Sequence, residues 1–192
     1  MTNIGQRTKS KCRYRRTINL HLQQMPIHFT EKELKVFKKI EAAAEQLQLP
    51  CYLIGGFVRD KVIGRDTKDA DIVCMGDGIE LAHKVAASFQ PKPIVAYFKN
   101  FGTAQIKLED FEVEFVGARK ESYRNHSRKP EVEPGTIEDD QNRRDFTINA
   151  MAISLNKADF GLMIDPFNGL NDIEQKIIKT DRKSTRLNSS HG

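Results

Sequence analysis

Residues 51–75 read CYLIGGFVRDKVIGRDTKDADIVCM, a pattern of strand, turn, helix and second strand. Cys51 to Ile54 is a short apolar run halted by the pair Gly55-Gly56, as expected of a buried strand feeding a tight turn. Phe57 to Ile63 then has helical spacing, with Gly64 placed where such a helix ends. Asp69-Ala70-Asp71 opens a second strand-like run, Ile72-Val73-Cys74-Met75. Residues two apart on an extended chain share a face, so the two carboxylates are expected to project together, about 7 Å apart along the chain. Neighbouring carboxylates repel unless a cation lies between them. Oxygen ligands of this kind suit Mg²⁺, and two such ions about 4 Å apart form the clamp used for in-line phosphoryl or nucleotidyl transfer.

The glycines point the same way. At a strand-to-helix turn they let backbone N–H groups approach a triphosphate, with the positive end of the new helix behind them. Arg59, one turn into that helix, is placed for a charge-assisted bond to a phosphate oxygen. Asp-x-Asp alone reads equally well as a solvated acidic turn. The glycine pair at this spacing is what favours a metal and phosphate site.

A second constellation lies at 138–152, EDDQNRRDFTINAMA. Arg143 and Arg144 are candidates to hold an anionic nucleotide, while Phe146, Ile148 and Met151 are expected to turn a following helix inward. Asp145 falls where the N-cap of that helix belongs, which is a structural role. Asn149 is a poor residue for a helix interior and calls for a reason, such as a hydrogen bond to substrate or to a metal-bound phosphate.

In this order and at these distances, GGFVRD (55–60), Asp69-Ala70-Asp71 and RRDFTINAMA (143–152) resemble the head domain of the bacterial-type tRNA CCA-adding enzymes and bacterial poly(A) polymerases. These belong to the DNA polymerase β-like nucleotidyltransferase superfamily. The resemblance runs over roughly Ile40 to Thr180 and takes in KNFGTAQI (99–106), VEFVGARKESY (113–123) and DPFNGL (165–170). It implies an α/β (α+β) head with a small mixed sheet backed by helices. By resemblance, Asp69 and Asp71 bind Mg²⁺, Gly55, Gly56 and Arg59 hold the triphosphate, and Arg143, Arg144, Asp145 and Asn149 complete the nucleotide site. Glu114 stands at the family's third strand carboxylate, although Glu112 shares its strand face and is an alternative.

The implied reaction is addition of CMP or AMP from CTP or ATP to the 3′ end of tRNA, with release of pyrophosphate. A poly(A) polymerase or an A-adding enzyme would share every motif quoted. A non-catalytic nucleotide- or RNA-binding module is the reading from another class, and both intact aspartates count against it. Nucleotidyltransferases that modify proteins or drugs lack the RRDFTINAMA element.

Composition bounds the rest. At 192 residues, 39% hydrophobic and 30% charged, the chain has room for one core plus tails. No apolar run approaches the ~20 residues needed to span a bilayer, and the first 24 residues lack the apolar centre of a secretion signal. Cys12, Cys51 and Cys74 show neither paired nor metal-ligand spacing, which suits reduced thiols in a cytoplasmic protein. The net charge of +5 resides in the ends, since residues 1–24 carry six Lys/Arg and no acid. That leaves the body slightly acidic, and its charge is no argument for gripping RNA. Residues 1–24 are therefore expected to be a disordered or non-native basic tail and 25–180 the head domain. Residues 181–192 are expected to be non-native, with the family's neck and body domains missing.

Further elements follow from local signals. Thr30 and Glu33 form a capping-box pattern, and Leu34, Phe37, Ile40, Ala44 and Leu47 mark an amphipathic helix ending before Pro50. A third helix is expected over Gly78–Phe89, with strands at Ile94–Tyr97, Thr103–Leu108 and Phe111–Val116 and a hairpin turn at Glu109-Asp110. Gly76-Asp77-Gly78 lacks the third glycine of a dinucleotide fingerprint and reads as a helix start. Lys120 to Gly135 is expected to be a mobile loop, with Arg124, Arg128 and Lys129 able to touch phosphates.

Overall fold

Helix α1 (Glu31–Leu47) starts where its capping box places it: Thr30 Oγ1 accepts from the Glu33 N–H, and the Glu33 carboxylate accepts from the Thr30 N–H at 2.7 Å. The computed structural model describes residues 27–122 and 131–180. α1 buries Val36, Phe37, Ile40, Ala43 and Ala44, whereas Leu34, expected on that face, is exposed.

Strand β1 (Cys51–Ile54) passes through the glycine turn into α2 (Gly56–Val62), and β2 (Asp69–Cys74) returns antiparallel to β1. Helix α3 (Gly78–Ala86) is capped by Asp77, whose carboxylate accepts from the N–H groups of Ile79 and Glu80. It is shorter than its pattern predicted. Ser88 turns back to bond the Val85 carbonyl through both N–H and hydroxyl, which tightens the chain out of the helix. Strands β3 (Val95–Phe98), β4 (Thr103–Leu108) and β5 (Phe111–Gly117) form an antiparallel meander, with the expected tight turn between the last two.

Two expectations need correction. β6 (Arg119–Ser122) and β7 (Glu131–Pro134) pair as a two-stranded ribbon, so both ends of the segment expected to be a loop are ordered. Residues 123–130, including Arg124, Arg128 and Lys129, lie outside the described residues, as do both tails. After α4 (Ile137–Asn142), the segment expected to be a helix makes only one 3₁₀ turn, Thr147–Asn149, and then enters β8 (Ala152–Ser154). The helix is cut short because Ala152 to Ser154 pair with β1, a tertiary demand that helical spacing does not report. β9 (Met163–Ile164) and α5 (Gly169–Glu174) complete the described fold.

The main sheet runs β3-β4-β5-β2-β1-β8-β9, with β2 and β5 parallel and every other pair antiparallel. This is the mixed α/β layer expected. One face, built by Leu53, Ala70, Ile72, Ala104, Ile106, Val113 and Phe115, belongs to the core beneath α1 and α3. There Phe37 meets Phe29 edge-on at 5.0 Å and Phe57 at 5.5 Å between ring centroids. Cys51 and Cys74 sit opposite each other on β1 and β2 as free, buried thiols, and burial pushes both up to about 12, where they are unreactive.

On the other face α4 covers the inner strands through a small cluster of Ile54, Val73, Ala118, Ile137 and Ala152. Among the described residues no helix covers the outer strands there, and on this side β2, β4 and β5 present Asp69, Asp71, Thr103, Gln105, Lys107, Glu112 and Glu114 before Val73 and Val116. No helix among the described residues is long and apolar enough to cross a membrane.

Candidate active site

Gly55 is the point on which the site converges. Its φ of +81° and ψ of −137° lie in a region that side chains disfavour strongly. A Cβ there would stand 2.8 Å from Arg144 Nη1 and 3.2 Å from Asp71 Oδ2. The β1–α2 turn, the β2 carboxylate and the arginine from the second motif therefore meet around this glycine. Gly56 is less crowded, its nearest neighbour being Arg59 Nη2 at 3.6 Å.

Asp69 and Asp71 occupy alternate positions of β2, flanking the buried Ala70, so both belong to the open face. Asp69 is exposed and Asp71 half-buried. Burial raises the Asp71 carboxyl above its ordinary range; Arg144 opposes this, and the charges of Asp69 and Asp140 add to it. The parallel register sets Glu112 beside Asp69 and Glu114 beside Asp71. Glu112 is committed elsewhere, accepting from Gln105 Nε2 at 2.8 Å and pairing with Lys107 Nζ at 2.7 Å. Glu114 has no hydrogen-bond or ion-pair partner among the described residues. Burial, and then the Asp71 charge, raises its carboxyl as well. Of the two glutamates, Glu114 is the one that borders a cavity of about 170 Å³ shared with Asp71, Asp140, Arg143 and Arg144.

The arginines are held from behind by a residue that the motif reading passed over. Asp140 is fully buried. Its Oδ1 accepts from Arg143 Nε at 3.0 Å and from Arg143 Nη2, and its Oδ2 accepts from Arg144 Nε at 3.0 Å. The signal was present in the spacing, since Asp140 precedes the two arginines by three and four residues on one helical turn. Gln141, also buried, anchors α4 by donating to the carbonyls of Ala150 and Ile164 at 2.7 and 3.3 Å.

Asn149 has a partner inside the protein. Its Oδ1 accepts from Arg59 Nη1 at 2.8 Å, and its carbonyl accepts from Arg144 Nη1 at 3.5 Å. Arg59 also donates through Nε to Asp60 at 2.9 Å. Asn149 thus ties the arginine of α2 to that of the 143–152 segment. Asp145 is exposed and is not an N-cap, because the 3₁₀ turn is capped one residue later, at Phe146. No hydrogen bond joins its side chain to the other site residues among those described. Phe146, expected to pack inward, is partly exposed, while Met151 is fully buried as expected.

Among the described residues, no three His, Cys, Asp or Glu side chains enclose an ion by themselves. Asp69 and Asp71 could hold a divalent cation through two carboxylates, leaving its other positions to water and to phosphate oxygens. That is how small hard cations commonly sit on nucleotides. Raised carboxyls on Asp71 and Glu114 fit such a role, since a cation would relieve the charge that burial penalises.

A half-open mixed sheet with paired aspartates at the mouth of a glycine turn, backed by an arginine clamp, defines the head domain of a nucleotidyltransferase. The family model described as the Poly A polymerase head domain matches residues 51–179, and the chain belongs to that family. It is 44% identical over 131 residues to the A-adding tRNA nucleotidyltransferase of Aquifex aeolicus, covering 68% of this chain and 16% of that protein. It is 37% identical over 129 residues to the CC-adding tRNA nucleotidyltransferase of Deinococcus radiodurans, covering 66% of this chain and 34% of the relative. Among solved structures it resembles a tRNA nucleotidyltransferase complexed with a primer tRNA and an incoming ATP analog, with a TM-score of 0.64 and 40% identity over 73% of this chain and 38% of that one. The chain thus spans well under half the length of these relatives.

Proposed function

We propose that this chain is the catalytic head of a template-independent RNA nucleotidyltransferase that adds CMP or AMP from CTP or ATP to the 3′ end of tRNA. The observation that carries the reading is the junction at Gly55, where a Cβ-free turn, the Asp71 carboxylate and the Arg144 guanidinium come within van der Waals reach. Asp69 and Asp71 would hold Mg²⁺, which supplies charge neutralisation at the α-phosphorus and at the departing pyrophosphate. Arg144 and Arg59 present guanidinium groups on the glycine side, where they can orient the triphosphate. Asp140 and Asn149 hold those arginines in place from behind. Glu114, on the far side of Asp71, is positioned to accept a hydrogen bond from the attacking 3′-hydroxyl. Asp145, exposed and without a side-chain hydrogen bond among the described residues, is assigned a part in the nucleotide site on resemblance alone. A cytoplasmic setting, where tRNA and nucleoside triphosphates meet, completes the reading.

The similarity extends to A-adding and CC-adding relatives alike, which supports a head that does not itself choose the base. An A-adding enzyme is the second reading, favoured by the 44% identity to the Aquifex aeolicus relative. Calorimetric titration with ATP, CTP, GTP and UTP tests the proposal. Binding is expected to need Mg²⁺, to vanish in Asp71→Ala and to show little base preference. Binding that survives without Mg²⁺, or in that variant, would overturn it.

A further inference from the structure

We propose that the open face of the outer sheet, leading from Glu114 across Gln105 to the exposed ring of Phe98, seats the 3′-terminal nucleotides of the RNA being extended. The inference rests on the proposed function and follows from the direction of attack. In nucleotidyl transfer the incoming and departing oxygens lie roughly in line across the phosphorus. Of the phosphate-facing groups, Gly55 and Arg59 stand on the β1 and α2 side of Asp71, and Arg144 reaches that side at Gly55 while also bordering the cavity shared with Glu114. The nucleophile must then arrive from the opposite flank, which is β5, then β4, then β3.

The strand registers trace that path. Asp71 pairs with Glu114, Glu114 with Gln105, and Gln105 with Ala96, which places these four in one row on one face. Phe98, two residues from Ala96 and paired with Thr103, shares this face. Three strand spacings separate β2 from β3, about 14 Å, enough for a few stacked nucleotides. Glu114, Ala96 and Phe98 are exposed, and Gln105 is half-buried. Phe98 is 59% exposed and is followed in sequence by the exposed Lys99, so an apolar ring and a cation come from adjacent residues at the end of this track. Stacking on such a ring, with a nearby positive charge for the backbone, is how proteins hold single-stranded nucleic acid without reading its sequence. The neighbouring Tyr97 is also exposed but points to the other face, where its ring meets His83 edge-on at 5.7 Å. Adjacent aromatics on opposite faces provide a matched pair.

The test uses a short single-stranded RNA carrying 2-aminopurine three bases from its 3′ end, titrated with the protein in Mg²⁺ and ATP. Fluorescence quenching is expected on binding. Phe98→Ala should lower RNA affinity about fivefold or more and abolish the quench, whereas Tyr97→Ala should leave both near the starting protein. Equal effects of the two variants, no effect of Phe98→Ala, or no binding of the RNA by the starting protein would each overturn the inference. Mg–ATP binding by the starting protein, measured on the same samples, separates the two proposals. If it is intact while Phe98 proves irrelevant, only the RNA path falls; if it is absent, the nucleotide site falls and the path with it.

Discussion

Asp140 is closed off from solvent, and its Oδ2 accepts a hydrogen bond from Arg144 Nε at 3.0 Å while Arg143 holds Oδ1. A buried carboxylate of this kind is tolerated only because two guanidinium groups satisfy it, and in return it fixes where both arginines point. Asp140→Ala would leave those cations without their common acceptor. It is expected to cost roughly 1–3 kcal/mol of stability in urea unfolding, the range for losing charged hydrogen bonds, because the two arginines left behind keep contact with water. Asp140→Asn, which keeps the shape and one acceptor oxygen, should cost less stability yet still weaken Mg–ATP binding. An Asn variant with unchanged nucleotide affinity would show that Asp140 serves folding alone.

Asp71 stands between Gly55 and Glu114 on the acidic edge of the sheet. Its replacement by Ala should remove a metal ligand and leave triphosphate charge uncompensated. In single-turnover nucleotide addition to tRNA by an enzyme carrying this head, the expected loss is on the order of a thousandfold or more. A rate within tenfold of the unmodified enzyme would exclude the metal role.

The raised carboxyls of Asp71 and Glu114 give a pH signature. A carboxyl raised on folding takes up its proton in the native state before it does in the unfolded chain. Without metal, these two groups therefore make the protein more stable as the pH falls through their raised values, and less stable above them. Mg²⁺ needs the ionised forms, so its affinity should fall over the same window. Thermal unfolding across the range from pH 4 to 7 (about the carboxylate range and above), with and without Mg²⁺, checks both slopes. Asp71→Asn should flatten them; unchanged slopes would mean that other groups carry the effect.

Gly55 and Gly64 both have positive φ, at +81° and +72°, but differ in surroundings. A methyl at Gly55 would run into Arg144 and Asp71, whereas at Gly64 nothing lies within 4 Å. Both Ala variants should lose roughly 1–3 kcal/mol of stability from backbone strain. Only Gly55→Ala should also lower Mg–ATP affinity, because it displaces the arginine. Equal nucleotide binding by the two variants would show that the turn is not a phosphate cradle.

Local signals carried much of the fold. The capping box at Thr30 and Glu33 depends only on neighbours a few residues away, and the apolar run 51–54 and the strand 103–108 lie where their local patterns placed them because their sheet pairing agrees with those patterns. The segment 143–152 failed for the opposite reason. Its helical spacing of apolar residues was overridden by pairing of Ala152 to Ser154 with β1, about a hundred positions earlier in sequence. DPFNGL shows the same division. The carboxylate of Asp165 accepts from the Gly169 and Leu170 N–H groups, a local cap, while a Cβ on Gly169 would stand only 2.7 Å from the Thr147 carbonyl. That close approach, reinforced by Thr147 Oγ1 donating to the buried Asp172, is a long-range demand.

The site divides along the same line. From the amino-acid order alone came the identity of the chemistry: two aspartates on one strand face, a glycine turn before them, and arginines later in the chain. Tertiary structure decided which groups share the space. It placed Glu114 rather than Glu112 at the cavity, left Asp145 outside the hydrogen-bonded cluster, and turned Asp140 from an anonymous acid into the anchor of both arginines. The physical reason is that a residue's type and short-range spacing set what it can bond, whereas strand register and burial set what it meets.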